Sequence, residues 1–286
     1  MPELPEVETL RRELNKLLVG QTIKNVEVLW TKAILPMTAK KFTTELLGQK
    51  VESVDRRAKM LIVNFSNGKS LVFHLKMTGQ VIFVPKKGGA TFGGHPTSDV
   101  QTPGKHTRLI LEFKNGDHLY FNDMRKFGWS RLVSATELNT LTSHSGPEPL
   151  SKDFSADFLF DLFQKYPNRT LKQILLDQTL IAGIGNIYAD ESCFLSGLMP
   201  NRKAGTVNQK QAAELYKQIV AVLKLSISKG GTSSRNYRRS DGSRGSFVPC
   251  LMVYGRAGET CKKCRALIQK IKHAGRGTHF CPQCQH

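Results

Sequence analysis

The feature that most constrains this chain is a group of four cysteines within its last 26 residues. They form two Cys-x-x-Cys pairs, Cys261 with Cys264 and Cys281 with Cys284, separated by sixteen residues. Zinc prefers four thiolates in a tetrahedron, and two such turns across a hairpin supply them. Because all four positions are protein ligands, none remains for a catalytic water, so the sequence predicts one structural zinc. The alternative is two unrelated redox or packing pairs.

Between the cysteine pairs lies a glycine-flanked arginine, Arg276, in the segment Ala274–Thr278. A hairpin this short needs a metal to fold, and its tip is an exposed position. We therefore expect the finger to present Arg276 to a partner. The alternative is an ordinary solvated turn residue.

The charge of the chain points to a polyanionic partner. Lys and Arg number 42 against 23 Asp and Glu, a formal net charge of +19. Each phosphate that is neutralised releases counterions and adds affinity without sequence information. A basic surface that is merely solvated is the alternative. No apolar run approaches the roughly 20 residues that span a bilayer, so a soluble protein without a membrane partner is expected.

The N-terminal residues MPELPEVETL are acidic and rigid, unlike a secretory leader. Pro2 and Pro5 lack backbone N–H donors, which argues against a helix start at this point. Apolar residues at helical spacing predict a first helix over Val7–Leu18, with Gly20 as its stop.

Eight runs rich in β-branched and aromatic residues follow and predict a sandwich or barrel-like β domain. They are Thr22–Trp30, Lys50–Asp55, Met60–Phe65, Ser70–Leu75, Gln80–Val84, Thr107–Phe113, His118–Asn122 and Trp129–Val133. The glycine-rich stretch Lys86–Gly104 is predicted to be a mobile loop.

The pattern becomes helical after a linker around Ser143–Lys152, and a length of 286 residues favours two domains. Helices are predicted at Phe154–Lys165, Thr170–Asp177, Ile187–Leu195 and Gln209–Ser228. The polar, basic stretch Gly230–Phe247 is predicted to be a second mobile loop.

Three further segments contain candidate binding residues. In the glycine-rich segment Ile181–Glu191, Asn186 is predicted to cap the following helix and leave N–H groups for a phosphate, although glycine turns also serve packing. The predicted β turns His74–Gly79 and Asp123–Gly128 contain Met77 and Phe127. Exposed apolar residues of this kind act as wedges in duplex DNA, and core packing is the alternative.

Seven motifs, distributed along the whole chain, give it a clear resemblance to a known family. They are MPELPEVET, RRAK at Arg56–Lys59, HLKMTG, DMRKFG, GIGNIYADES, VYGRAG at Val253–Gly258 and AGRGTHFCPQC at Ala274–Cys284. Together they resemble the bacterial formamidopyrimidine-DNA glycosylases of the Fpg/Nei family. The resemblance implies an α+β fold: an N-terminal β-sandwich, a C-terminal helix-two-turn-helix domain and a β-hairpin zinc finger. The expected domains are 1–135, a linker over 136–152, 153–249 with a lesion-recognition loop at Gly230–Phe247, and the finger 250–286.

The resemblance also implies the catalytic residues. Met1 would be removed, so that the secondary amine of Pro2 attacks C1′ of a damaged nucleotide and forms a Schiff base. Glu3 matches the family's general acid/base, Lys59 a lysine that contacts phosphate at the scission site, and Arg276 the finger arginine that holds the flanking phosphates. An α-amine titrates near about pH 8, so part of it is unprotonated at neutrality.

The DNA-contacting residues are inferred in the same way. Met77, Arg125 and Phe127 match the trio that fills the gap left by the everted base, with Arg125 facing the orphaned cytosine. His106, Lys172 and Asn186 match phosphate contacts. The chain departs from the family at Asn168, where a lysine is common, and Arg169 beside it is the expected substitute.

The resemblance thus implies a bifunctional glycosylase and AP lyase of base excision repair. It would excise 8-oxoguanine and formamidopyrimidines from double-stranded DNA by base flipping and β,δ-elimination, as a monomer in the bacterial cytoplasm, associated with the nucleoid. One alternative is an endonuclease VIII-like enzyme for oxidised pyrimidines. Another is a non-catalytic zinc-finger protein that binds damaged DNA.

Overall fold

A computed structural model describes residues 1–87, the backbone of 91–94, and residues 102–232 and 246–286. The chain divides into two compact units. The first comprises Met1–Ser143 with Lys229–Val248, and the second His144–Ser228 with Pro249–His286. The predicted domain limits at 135, 152 and 249 remain predictions.

The described part of the first unit contains three α-helices and nine strands. They are α1 Leu4–Leu18, β1 Ile23–Val28, α2 Ala39–Leu46, β2 Val51–Arg57, β3 Met60–Phe65, β4 Ser70–His74, β5 Gly79–Val84, β6 Thr91–Gly94, β7 Thr107–Phe113, β8 His118–Asp123, β9 Trp129–Val133 and α3 Ala135–Ser143. All eight predicted strands are present. The strand β6 lies inside the predicted loop Lys86–Gly104; residues 88–90 and 95–101 of that loop are outside the described residues.

The strands form two antiparallel sheets, in the orders β1-β7-β8-β5-β6 and β2-β3-β4-β9. Side chains from both sheets share one core. Phe73 from the smaller sheet meets Phe121 from the larger one with ring centroids 5.5 Å apart, and Leu10 and Leu14 of α1 are buried in the same core. This arrangement confirms the predicted β-sandwich.

The first helix begins earlier than predicted. It starts at Leu4, with Pro5 in its first turn, and ends at Leu18 as expected. Proline is tolerated in this turn because an N–H there would have no helical partner and the fixed φ suits a helix. The prediction that these prolines oppose a helix start is wrong for Pro5.

The second unit contains the four predicted helices, each within two residues of its predicted ends. They are α4 Ala156–Lys165, α5 Leu171–Leu176, α6 Asn186–Leu195 and α7 Gln209–Ser228, followed by the hairpin β10 Gln269–His273 and β11 Arg276–Phe280. In the described ranges, no helix has the length and apolar character needed to cross a membrane.

The segment predicted as a linker is ordered by contacts within each unit. Residues 135–143 form α3, whose Leu138 and Leu141 pack beside Val72. After it, the Gly146 N–H donates to the carbonyl of Gln178 at 2.9 Å. A Cβ at Gly146 would lie 2.4 Å from the backbone of Leu180, so this close approach requires glycine.

Candidate active site and nucleic-acid interface

The N-terminal residues are held in place at the start of α1. Pro2 and Glu3 are both buried, and the Glu3 N–H donates to Glu6 Oε2 at 2.9 Å. The other oxygen of Glu6 accepts from the N–H and the hydroxyl of Thr232, both at 2.8 Å. Glu6 therefore fixes the residue next to Pro2 and ties it to a segment far along the chain.

Sequence reasoning did not assign this role to Glu6. The spacing of Glu3 and Glu6 matches that of a capping box and could have predicted the first of these bonds. The bond to Thr232 spans 226 positions and has no local signal. Thr232 lies near the start of the predicted lesion-recognition loop Gly230–Phe247, of which residues 233–245 lie outside the described residues.

Glu8 anchors α1 to the turn that contains Lys59. Its carboxylate accepts from Arg11 at 2.8 Å, Arg12 at 2.7 Å and Arg56 at 3.1 Å, and Arg56 also donates to the carbonyl of Ala58 at 3.0 Å. Burial raises the pKa of Glu8, but the hydrogen bonds from the three arginines outweigh it and lower the pKa to about 2. Glu8 is therefore ionised, with a structural role.

Lys59 directly precedes β3 in the smaller sheet, and His74 is the last residue of the neighbouring strand β4. Lys59 follows Ala58, whose φ is +53°, in the two-residue turn between β2 and β3, and Met60 pairs with His74. Burial, with the charges of Lys76 and Lys59, lowers the pKa of His74 to about 4. His74 is thus neutral at pH 7, and its Nδ1 accepts from the Lys76 N–H at 3.1 Å. Sequence reasoning missed His74, although it begins the quoted HLKMTG motif.

The proposed wedge residues are exposed. Met77 is 38% exposed and Phe127 55%, so the alternative that they pack in the core is wrong. The Arg125 guanidinium lies 4.8 Å from the Phe127 ring centroid, within cation–π distance. His106 directly precedes β7, and its carbonyl accepts from the Asp123 N–H at 2.8 Å.

Lys172, predicted to bind a phosphate, is buried in the second unit. Lys172 is only 1% exposed. Its Nζ lies 2.5 Å from Asp190 Oδ1, 2.8 Å from Thr278 Oγ1 and 3.0 Å from the carbonyl of Gly277. The second oxygen of Asp190 accepts from the His279 N–H at 2.9 Å. This geometry favours support of the hairpin over a phosphate contact.

Replacing Lys172 by Met should lower the free energy of unfolding by about 3–5 kcal/mol, because Asp190 would remain buried without its cation. Chemical denaturation measures this change. The matched control is Lys203→Met, since Lys203 is exposed in the same unit; its effect should stay within about 0.5 kcal/mol. A Lys172→Met protein of full stability that binds DNA weakly would instead support the phosphate contact.

Asn186 does not cap α6 as predicted. The cap is Gly185, and Asn186 is the first helical residue. Its Nδ2 donates to the carbonyl of Gly277 at 3.0 Å, so the side chain is directed toward the hairpin rather than toward the free N–H groups of its own helix.

Lys203 lies beside Asn168, a position that the sequence did not predict. Asn168 is exposed, and Arg169, the expected substitute for a lysine there, is bound to Asp177 Oδ2 at 3.0 Å. Lys203 reaches across and donates to the carbonyl of Asn168 at 2.6 Å. Positive charge is thus present beside Asn168 despite the missing lysine.

The four finger cysteines fit a zinc ion. All four Sγ atoms lie within 4.8 Å of one another, and two of the pairs are 3.4 and 3.9 Å apart. Zinc–sulfur bonds of about 2.3 Å in a tetrahedron place sulfurs roughly 3.8 Å apart. The finger is therefore built for one structural zinc, with four cysteines as its ligands.

The hairpin places Arg276 in an exposed position. Ala274 and Gly275 form its two-residue turn with φ of +48° and +74°, and Arg276 pairs with His273 as the first residue of β11. The described side chain is exposed, as the sequence predicted for a residue presented by the finger.

A fold of this kind, with a buried N-terminal proline, a strongly basic chain and a four-cysteine finger, defines a DNA-processing enzyme with a structural metal. The family models of the formamidopyrimidine-DNA glycosylase N-terminal domain, the H2TH domain and the zinc finger found in FPG and IleRS match residues 1–130, 145–238 and 258–286. The chain belongs to the formamidopyrimidine-DNA glycosylase family.

Individual relatives are similar over the whole chain. The formamidopyrimidine-DNA glycosylase of Lactiplantibacillus plantarum is 40% identical over 99% of this chain and 98% of the relative, and that of Bacillus licheniformis is 41% identical over 100% and 99%. Lactococcus lactis Fpg in complex with N7-benzyl-Fapy-dG DNA superposes with a TM-score of 0.87, at 36% identity and full coverage of both chains. The Lactococcus enzyme with abasic-site DNA gives 0.87 at 36% identity, over 99% of each chain.

Proposed function

We propose that this protein is a bifunctional DNA glycosylase and AP lyase of base excision repair that excises formamidopyrimidines and 8-oxoguanine from double-stranded DNA. The observation that carries the proposal is the buried Pro2–Glu3 pair, fixed through Glu6, in a chain of this family. The Lactococcus complexes with N7-benzyl-Fapy-dG and abasic-site DNA support the substrate class.

In the proposed mechanism, the Pro2 nitrogen forms a bond to C1′ while the damaged base leaves with the electrons of the glycosidic bond and takes up the proton that the amine releases. The Glu3 carboxyl protonates the ring oxygen as the sugar opens, and the product is an iminium cation. This cation acidifies the C2′ hydrogens, so a proton is lost and the 3′ phosphate leaves, followed by the 5′ phosphate. Lys59 and Arg276 bind the phosphates that depart; Arg276 acts as a cation because arginine keeps its proton.

The proposed DNA contacts position the nucleotide for this chemistry. Extruding a base costs a few kcal/mol of stacking and pairing, and Met77, Arg125 and Phe127 offset that cost by filling the gap. His106, Asn186 and the exposed Asn168 contact backbone phosphates. Lys203 adds the charge that Arg169, held by Asp177, does not supply.

The two alternatives are less well supported. A non-catalytic zinc-finger protein has no need of an N-terminal proline beside a buried carboxyl. An endonuclease VIII-like enzyme would act on pyrimidines, whereas the similar Lactococcus structure contains N7-benzyl-Fapy-dG, a purine-derived lesion. We further propose that the protein acts as a monomer in the bacterial cytoplasm, on nucleoid DNA.

Single-turnover excision from matched duplexes tests the substrate class. We expect cleavage of duplexes containing 8-oxoguanine opposite cytosine, or a formamidopyrimidine, at least about tenfold faster than cleavage at thymine glycol, since a site that hydrogen-bonds one base rejects analogues that leave its polar groups unpaired. An undamaged duplex is the control. Faster excision of thymine glycol would favour the endonuclease VIII alternative.

A further inference from the structure

One buried carboxylate joins the two turns, residues 74–79 and 123–128, that contain the proposed wedge residues. Asp123, the last residue of β8, is 1% exposed. Its Oδ1 accepts from the Thr78 hydroxyl and from the Arg125 N–H at 3.2 Å. The same N–H lies 3.0 Å from Thr78 Oγ1. Asp123, Thr78 and the Arg125 backbone thus form one cluster that links the turns.

The other oxygen of Asp123 closes the second turn. Asp123 Oδ2 accepts from the Gly128 N–H at 2.6 Å, so the carboxylate binds near the beginning and at the end of the segment that presents Phe127. Asp123 is itself fixed, because its carbonyl accepts from Arg108 Nε at 2.9 Å. Hydrogen bonds to a buried carboxylate are stronger than those between neutral groups.

There is little space for either turn to shift. A Cβ on Gly128 would lie 2.9 Å from the Phe121 ring and 3.1 Å from Asp123 Oδ2. A Cβ on Gly79 would lie 2.4 Å from the carbonyl oxygen of Leu75. Glycine at these two positions therefore lets each turn pass close to the end of its strand, and the tight packing holds each turn in one conformation.

The strands do not require this carboxylate. Backbone pairing of β5 with β8 already extends to Gly79 opposite Asp123, so the ladder is complete up to the turns. The Asp123 side chain acts beyond the ladder, on the two segments that expose Met77 and Phe127.

We propose that Asp123 is a positioning residue for base extrusion. It holds Met77 of one turn at a set position relative to Arg125 and Phe127 of the other, so that the three side chains enter the duplex together. This inference rests on the proposed function, in which these three residues fill the gap left by the everted base. Asp123 touches no reacting atom; it acts through the geometry of the turns.

Two variants weaken the hydrogen bonds between the two turns to different extents. Thr78→Val removes the hydroxyl that bridges the turns but keeps the side-chain shape. Asp123→Asn places an amide donor where two backbone N–H groups and a hydroxyl already donate. The matched control is Asp117→Asn at the opposite end of β8, where Asp117 accepts from the Lys86 N–H at 2.9 Å.

The measurement compares two substrates of the same sequence: a duplex with 8-oxoguanine opposite cytosine, and one with a preformed abasic site, which has no base to extrude. We expect Thr78→Val and Asp123→Asn to slow base excision about tenfold or more, and abasic-site cleavage less than about twofold, because a shift of about 1 Å in a positioning group can cost a hundredfold. The fluorescence rise of a 2-aminopurine beside the lesion should slow in parallel. Thr78→Ser, which restores the hydroxyl, and Asp117→Asn should behave like wild type.

The outcomes are distinguishable. Equal losses on both substrates, or no loss of excision in either variant, would overturn the positioning role of Asp123. A wild-type protein that excises no damaged base would overturn the proposed function instead.

Discussion

A chain whose N-terminal proline nitrogen is blocked will not form a borohydride-trapped adduct with damaged DNA. A tag left ahead of Pro2 turns its amine into an amide, which has no lone pair available to attack C1′. The single-turnover lyase rate should fall at least about a thousandfold, since loss of a catalytic nucleophile commonly costs that much or more. Gel-resolved trapping with an abasic-site duplex measures both adduct and product.

The control for this prediction separates chemistry from binding. A tetrahydrofuran abasic analogue cannot form a Schiff base, so the blocked protein should bind it nearly as well as the free one. Pro2→Gly keeps an α-amine but loses the permanently charged iminium of a secondary amine, so its trapping should be reduced. A blocked protein that is trapped at full yield would show that a lysine is the nucleophile.

Replacing one finger cysteine, Cys281→Ser, should cost the protein its zinc and most of its affinity for DNA. Structural zinc contributes about 10–16 kcal/mol to the folding of isolated finger peptides. Without it, the hairpin that presents Arg276 loses the four-thiolate centre at its base. Zinc content by mass spectrometry and affinity for the tetrahydrofuran duplex measure the two losses.

Cys250→Ser provides the matched control, because Cys250 is a half-buried cysteine outside the four-thiolate cluster. It should keep one zinc per chain and wild-type affinity. Full DNA affinity in metal-free Cys281→Ser would contradict a structural role for the finger.

Local pattern was sufficient for most of the secondary structure. The eight predicted strands and four helices of the described chain are present because alternation and 3.6-residue periodicity record which side faces a core. The helices α2 and α3 were not predicted, and two other differences have local causes. The strand β6 lies in a glycine-rich stretch that reads as loop, and α1 starts at Leu4 because a first-turn proline is compatible with a helix.

The residues of the candidate site likewise differ in whether the sequence alone could predict them. Four cysteines at fixed spacing specify a metal site, because zinc binding needs only the residue types and their spacing. Family resemblance added the expected roles of Pro2, Glu3, Lys59 and Arg276. None of this required knowledge of which distant residues meet.

The contacts between distant residues emerged only in three dimensions. The resemblance predicts that Lys172 binds a phosphate, whereas in the folded chain its ammonium group contacts Asp190 and Thr278, the latter 106 positions away. Likewise, the sequence predicts only that Asp123 lies in a turn, and the structure shows that its carboxylate accepts from the Thr78 hydroxyl. Burial and hydrogen-bond partnership depend on folded neighbours, which periodicity does not encode, so local sequence specified the groups available while tertiary packing determined which of them support the site.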